Sequence, residues 1–274
     1  MSHRYEAPHA LFGCQLKLDR AYEQVEALNG LIGGFLRRKP YEPVGKFDRE
    51  AGEYFVLIRV RDDPPIQWSV LIGEVVHNLR SALDHLAWQL VKANGDTPNR
   101  DTGFPIFTQD PFADGTDERT LRRWERMTKG MHADDIAGIK GFQPYKRGNK
   151  VNSLFILNSL SNWDKHREMH FAQNILRYSK IDFENVRDCE LRPAGKPHHG
   201  TFVDSTIVQH YRVIRTGEDP HVEMQTECAF DVAFAEPGPV AGFSVEETLI
   251  GLSNVVHDVV HGFAQQRFND QETP

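Results

Sequence analysis

The string HNLRSALDH, running from His77 to His85, gathers two imidazoles, a guanidinium, a carboxylate, an amide and a hydroxyl within nine residues. An imidazole exchanges protons near neutral pH, and a guanidinium is a planar fork that suits a phosphate. Proton transfer around a phosphodiester is therefore one chemistry open to this segment. Its candidate catalytic groups are Arg80, His85, His77 and Asp84, with Asn78 and Ser81 as substrate contacts. A second cluster, DKHR at Asp164 to Arg167, offers Lys165, His166 and Arg167 as candidate substrate-binding side chains. Cations there would also complement the negative end of a helix. Arg119, Arg122, Arg123 and Arg126 could extend them into the basic floor that a phosphate backbone requires, with Trp163 as a wall.

Metal binding is a different chemistry. His257 and His261, in HDVVH, stand at i, i+4, a common way for one helix to present two imidazoles. The residue after His257 is Asp258 rather than a glutamate, so this is not the zincin string. His77 or His85, with Asp164, His166 or His170, could complete a bundle site and support a metal-dependent hydrolase. The plainest alternative is a noncatalytic interaction module in which the polar groups of HNLRSALDH buttress a helix interface through satisfied hydrogen bonds. No cofactor is implied, because no glycine-rich phosphate loop, serine nucleophile elbow or paired-cysteine zinc motif is visible.

These residues need elements to hold them. Between Trp68 and Asn94, apolar side chains recur at three- and four-residue intervals, and Gly95 stops the run, which predicts a helix over 68–94. At about 100° per residue, Ile72, Val75, Leu79, Ala82, Leu83, Leu86 and Leu90 share one arc. Glu74, His77, Asn78, Ser81, His85 and Trp88 line the opposite side, and Arg80 and Asp84 occupy one border at the spacing of a local ion pair. Helices are also expected over 10–38, loosened or ended early by Gly30, Gly33 and Gly34, over 149–162, and over 244–268 behind a cap region of Ser244, Glu246 and Glu247. Shorter helices are expected at 121–128 and 133–139, after a loop at 95–118. The segment 168–236 is β-leaning and predicts three to five antiparallel strands, which the isolated strand 53–60 is expected to join. The fold class is thus α+β: a single domain over 1–274, mainly a bundle of four or five helices, with a small antiparallel sheet inserted before the C-terminal helix.

With Arg80 and His85 separated by four residues, the central string resembles the signature of the HEPN superfamily, an Arg followed after four to six residues by a His. The resemblance implies a helical bundle, a dimer in many members, and RNA as partner. It also implies metal-independent endoribonuclease or toxin activity, in which Arg80 holds the scissile phosphate and His85 serves as acid or base. The chain departs from the pattern at Ser81, where an amide, acid or histidine is usual. On a straight helix, moreover, Arg80 and His85 lie about 140° apart and about 7.5 Å apart along the axis, so they would meet only across a kink or a second protomer. The chain also resembles uncharacterised bacterial proteins that pair an HNLRSALDH-like helix with a later DKHR string.

Composition narrows the setting. The 274 residues are 39% apolar and 26% charged, and no apolar run approaches the roughly 20 residues of a membrane span. The amino terminus MSHRYEAPH has no apolar signal core, and Cys14, Cys189 and Cys228 share no close spacing, so a reducing cytoplasm is the expected location. The net charge of -7 hides a basic middle: 13 Lys or Arg against five acids between Arg119 and Lys180, followed by six against 16 from Ile181 onward. Such asymmetry suits a polyanionic ligand or, equally, two segments that neutralise each other.

Overall fold

The computed structural model describes residues 9–147, 152–166, 172–235 and 239–268, excepting the side chains of residues 9, 147, 164–166 and 172. They fold into two compact units, one within residues 1–28, 69–170 and 246–274, the other within 29–68 and 171–245.

The first unit is helical. It holds most of α1 (Phe12–Arg37), α2 (Trp68–Ala93), α3 (Glu118–Thr128), α4 (Ala133–Gly141), the single turn α5 (Pro144–Arg147), α6 (Ser153–His166) and α7 (Val245–Phe263), which runs on into a π-helical turn, Ala264–Phe268. The helix expected at 68–94 is α2, and Ile72, Val75, Leu79, Leu83, Leu86 and Leu90 along it are fully buried. Each such side chain contributes roughly 1.5–3 kcal/mol of transfer free energy. The expected 149–162 helix is described from Ser153, where the Asn152 carboxamide oxygen accepts from the backbone N–H groups of Leu154 and Phe155; residues 149–151 fall outside the described residues. It ends at His166, so Asp164, Lys165 and His166 belong to its last turn rather than lying beyond it. The helix α3 buries only Trp124 and Thr128, and Trp124 packs edge-on against Phe107 and Phe112. The connection after α2 keeps Phe104 and Phe107 buried. The fully buried Gln143 ties it down by accepting from Phe107 N–H and donating to the carbonyls of Pro105 and Ile139.

Two expectations about helices are corrected. The described residues contain seven α-helices rather than four or five. Furthermore, Gly30, Gly33 and Gly34 do not interrupt α1, which continues to Arg37. Glycine costs about 1 kcal/mol per helical position, but Ile32 and Phe35 share the buried face of this last stretch. In the second unit Phe35 sits edge-on against Trp68 at 5.6 Å and Tyr41 at 5.8 Å. Packing of that kind outweighs local propensity.

The second unit is a pair of antiparallel sheets, where one small insert was expected. One sheet has the order β1 (Tyr41–Asp48), β2 (Glu53–Val60), β6 (Thr206–Arg215), β4 (Cys189–Pro193); the other is β5 (Gly200–Thr201), β3 (Ala172–Arg187), β7 (His221–Phe234). The strand expected at 53–60 does join the later strands, pairing with β6 from Glu53–Arg212 to Ile58–Thr206. Its other neighbour, β1, was not expected, because Pro43 and Gly45 interrupt any alternating pattern. Aromatic rings stitch the two sheets together: Tyr41 meets Phe230 at 5.1 Å, and Phe183 meets Tyr54 at 5.6 Å and Tyr211 at 4.8 Å. Gly45 is needed here, since any Cβ would run into the Tyr54 hydroxyl. Among the described residues no helix is long and apolar enough to cross a membrane.

Candidate functional site

The predicted site residues on α2 separate onto two edges of the helix, both within the helical unit. On one edge Arg80 makes the expected ion pair in bidentate form, with Nη2 2.7 Å from Asp84 Oδ1 and Nε 3.2 Å from Oδ2. Nη2 also donates to the Phe104 carbonyl, and Asp84 Oδ1 accepts from the Phe104 N–H at 3.0 Å. The Arg80 side chain is only 12% exposed, against 39% for Asp84. The pair therefore clamps the connection after α2 by its backbone. Gly103 eases the approach, because a Cβ there would lie 3.1 Å from Asp84 Oδ1, a tight contact. Arg80 Nη1 is buried without a hydrogen-bond partner among the described residues.

The other edge opens onto a groove between α2 and α1. His77, Ser81 and His85 follow one another at four-residue intervals, both imidazoles exposed, with His77 Nε2 3.4 Å from Ser81 Oγ. The two helices run antiparallel: Gln24 meets Glu74, Lys17 meets Asn78, and a Cβ on Gly13 would touch the His85 ring at 3.0 Å. Along the floor lies a chain of hydrogen bonds with one direction. Lys17 Nζ donates to Asn78 Oδ1 (3.1 Å), Asn78 Nδ2 to Gln24 Oε1 (2.9 Å), and Gln24 Nε2 to Glu74 Oε2 (2.6 Å). Gln24 and Asn78 are buried, so these bonds satisfy amides that would otherwise be costly to desolvate. At its Glu74 end the groove widens into a recess of about 530 Å³, with Arg20, Ser69 and His77 among its walls. Ser69 is 2% exposed, and its Oγ has no hydrogen-bond partner among the described residues. Toward the other end of the groove, next to Gly13, Cys14 offers no nucleophile, since burial pushes its thiol up to about 12.

Arg80 and His85 thus face different neighbours within one chain: Arg80 the backbone at Phe104, His85 the first helix at Gly13. His257 and His261 stack on α7 with ring centroids 5.8 Å apart, beside Leu11, which immediately precedes α1, and Gln15 and Leu18 within it. Among the described residues no group of three or more His, Cys, Asp or Glu side chains is placed to hold a metal ion. Arg119, Arg122, Arg123 and Arg126 are all exposed on α3; Arg122 pairs with Glu118 at 2.6 Å, and Arg123 lies over the Phe107 ring. The side chains of Asp164, Lys165 and His166, together with Arg167 and His170, lie outside the described residues, as does any link between them and the central helix.

Sequence reasoning missed the groove's second wall. Lys17, Arg20 and Gln24 lie at i, i+3 and i+7 on α1, a polar stripe as regular as the apolar one used to find that helix. The Phe104 clamp left no such signal, because both of its contributions come from backbone atoms. No protein-family model, no curated protein and no solved structure matches the chain.

Proposed function

We propose that the protein binds RNA in the groove between α1 and α2, as the HEPN-like resemblance implies, and that Arg80 positions the fold rather than touching substrate. The observation that carries this reading is the row of exposed His77, half-buried Ser81 and exposed His85 standing across from Lys17 and Arg20. Such a mixture of cations, imidazoles and a hydroxyl suits phosphate and ribose oxygens. The exposed arginines of α3 add positive charge to the same unit. Arg80 contributes differently, with its fork already taken by Asp84 and the Phe104 carbonyl.

The test is fluorescence anisotropy of a labelled single-stranded RNA over a salt series in chelator, together with a gel assay of the same RNA. Affinity should fall log-linearly with salt, and Arg20→Ala should lower the slope by about one. Absence of salt-dependent binding would overturn the proposal. Cleavage lost in Arg80→Ala at unchanged melting temperature would instead make Arg80 a catalytic residue.

A further inference from the structure

Resting on that RNA reading, we infer that the recess at the Glu74 end of the groove takes an unpaired guanine base. Its volume of about 530 Å³ lies within the range of small-ligand sites. What the recess presents is set by the chain of bonds along the floor. Every donor from Lys17 through Asn78 and Gln24 points toward Glu74, so the line ends in a carboxylate, a group with two acceptor oxygens and no donor. Glu74 Oε2 already receives one bond, from Gln24, and each carboxylate oxygen accepts two.

The four bases differ in what they could offer such a group. Guanine carries two neighbouring donors, N1–H and the N2 amino group, which make two parallel bonds to one carboxylate. Adenine and cytosine set an amino donor beside an acceptor nitrogen, and uracil sets one N–H between two carbonyls. Only guanine matches a pure acceptor twice.

The wall gives an independent pointer. Ser69 Oγ is buried and has no partner among the described residues, a state that costs free energy unless something entering the recess bonds it. A ligand oxygen such as guanine O6 is an acceptor of the required kind. On the rim, the exposed His77 imidazole supplies a flat surface for stacking, and Arg20 supplies a cation for the adjoining phosphate. The same base chemistry is carried by a guanine in a strand and by a free guanine nucleotide.

The experiment compares short labelled oligouridylates bearing one guanine, inosine or adenine, alongside displacement by GMP and IMP. Inosine lacks only the N2 amino group. The guanine strand should bind about tenfold more tightly than the inosine strand. Glu74→Gln should bring the two together, and Ser69→Ala should weaken both alike because both keep O6. Glu74 is exposed, so its variant should fold, and its melting curve checks this. Equal binding of guanine and inosine strands overturns the guanine assignment while RNA binding stands. Selection of GMP over IMP without strand binding keeps the assignment and overturns the RNA reading. Binding of no strand and no nucleotide overturns both.

Discussion

Arg80 and His85 stand five positions apart on one helix, yet their surroundings are opposite. Arg80 is nearly buried and fastened to a carboxylate and a backbone carbonyl; His85 is exposed against a glycine. Both residues attract attention in the sequence for the same reason, that polar groups are unusual on a core helix. Such groups serve two ends. Where the neighbouring backbone would otherwise be buried unsatisfied, a charged pair becomes a fastener. Where the neighbour is another helix with small and polar residues, the same kind of group remains available to a ligand.

The contrast can be broken experimentally. Asp84→Ala should have the largest effect, about 2 to 3 kcal/mol of lost stability, because it leaves a mostly buried guanidinium without its counter-charge and the Phe104 N–H without its acceptor. Urea denaturation at constant slope would measure it, and a loss below about 0.5 kcal/mol would place Asp84 among ordinary surface residues. Replacing both partners, Arg80→Met with Asp84→Leu, should cost less than Asp84→Ala alone, since no charge is then stranded; a double variant worse than the single would show that the clamp works in some other way. Gly13→Ala should stabilise by about 0.5 to 1 kcal/mol through helix propensity, the exposed His85 ring turning aside from the new methyl group. Destabilisation in thermal unfolding would mean that the ring is held. The smallest effect belongs to His85→Ala, expected within about 0.5 kcal/mol of wild type, with weakened RNA binding as its main consequence. A large loss of stability there would erase the distinction between the two edges.

The central helix was legible because its burial follows the period of its sequence, residue by residue from Ile72 to Leu90. The Arg80–Asp84 pair was legible from spacing alone. By contrast, β1 was hidden because Pro43 and Gly45 serve a sheet edge and a tyrosine hydroxyl, neither of which leaves an alternating pattern. The glycines of α1 misled for a similar reason, since the aromatic packing of Phe35 that carries the helix past them is tertiary. The groove had half a signature: α2 was read for both faces, whereas α1 was read only for its apolar one. Its buried amides could not be paired across 50 or more positions by any local rule.

The row of bonds from Lys17 to Glu74 runs through two carboxamides, Asn78 and Gln24. A carboxamide can be turned end for end at little steric cost, so neither Gln24 nor Asn78 chooses its own orientation. The choice is made at the termini, by a cation at one end and an anion at the other, and each terminus alone suffices to hold it. The recess therefore has a polarity written in two surface charges. Exchanging them, Lys17→Glu with Glu74→Lys, would invert both amides with the backbone in place and end the line at the recess in a donor instead of an acceptor.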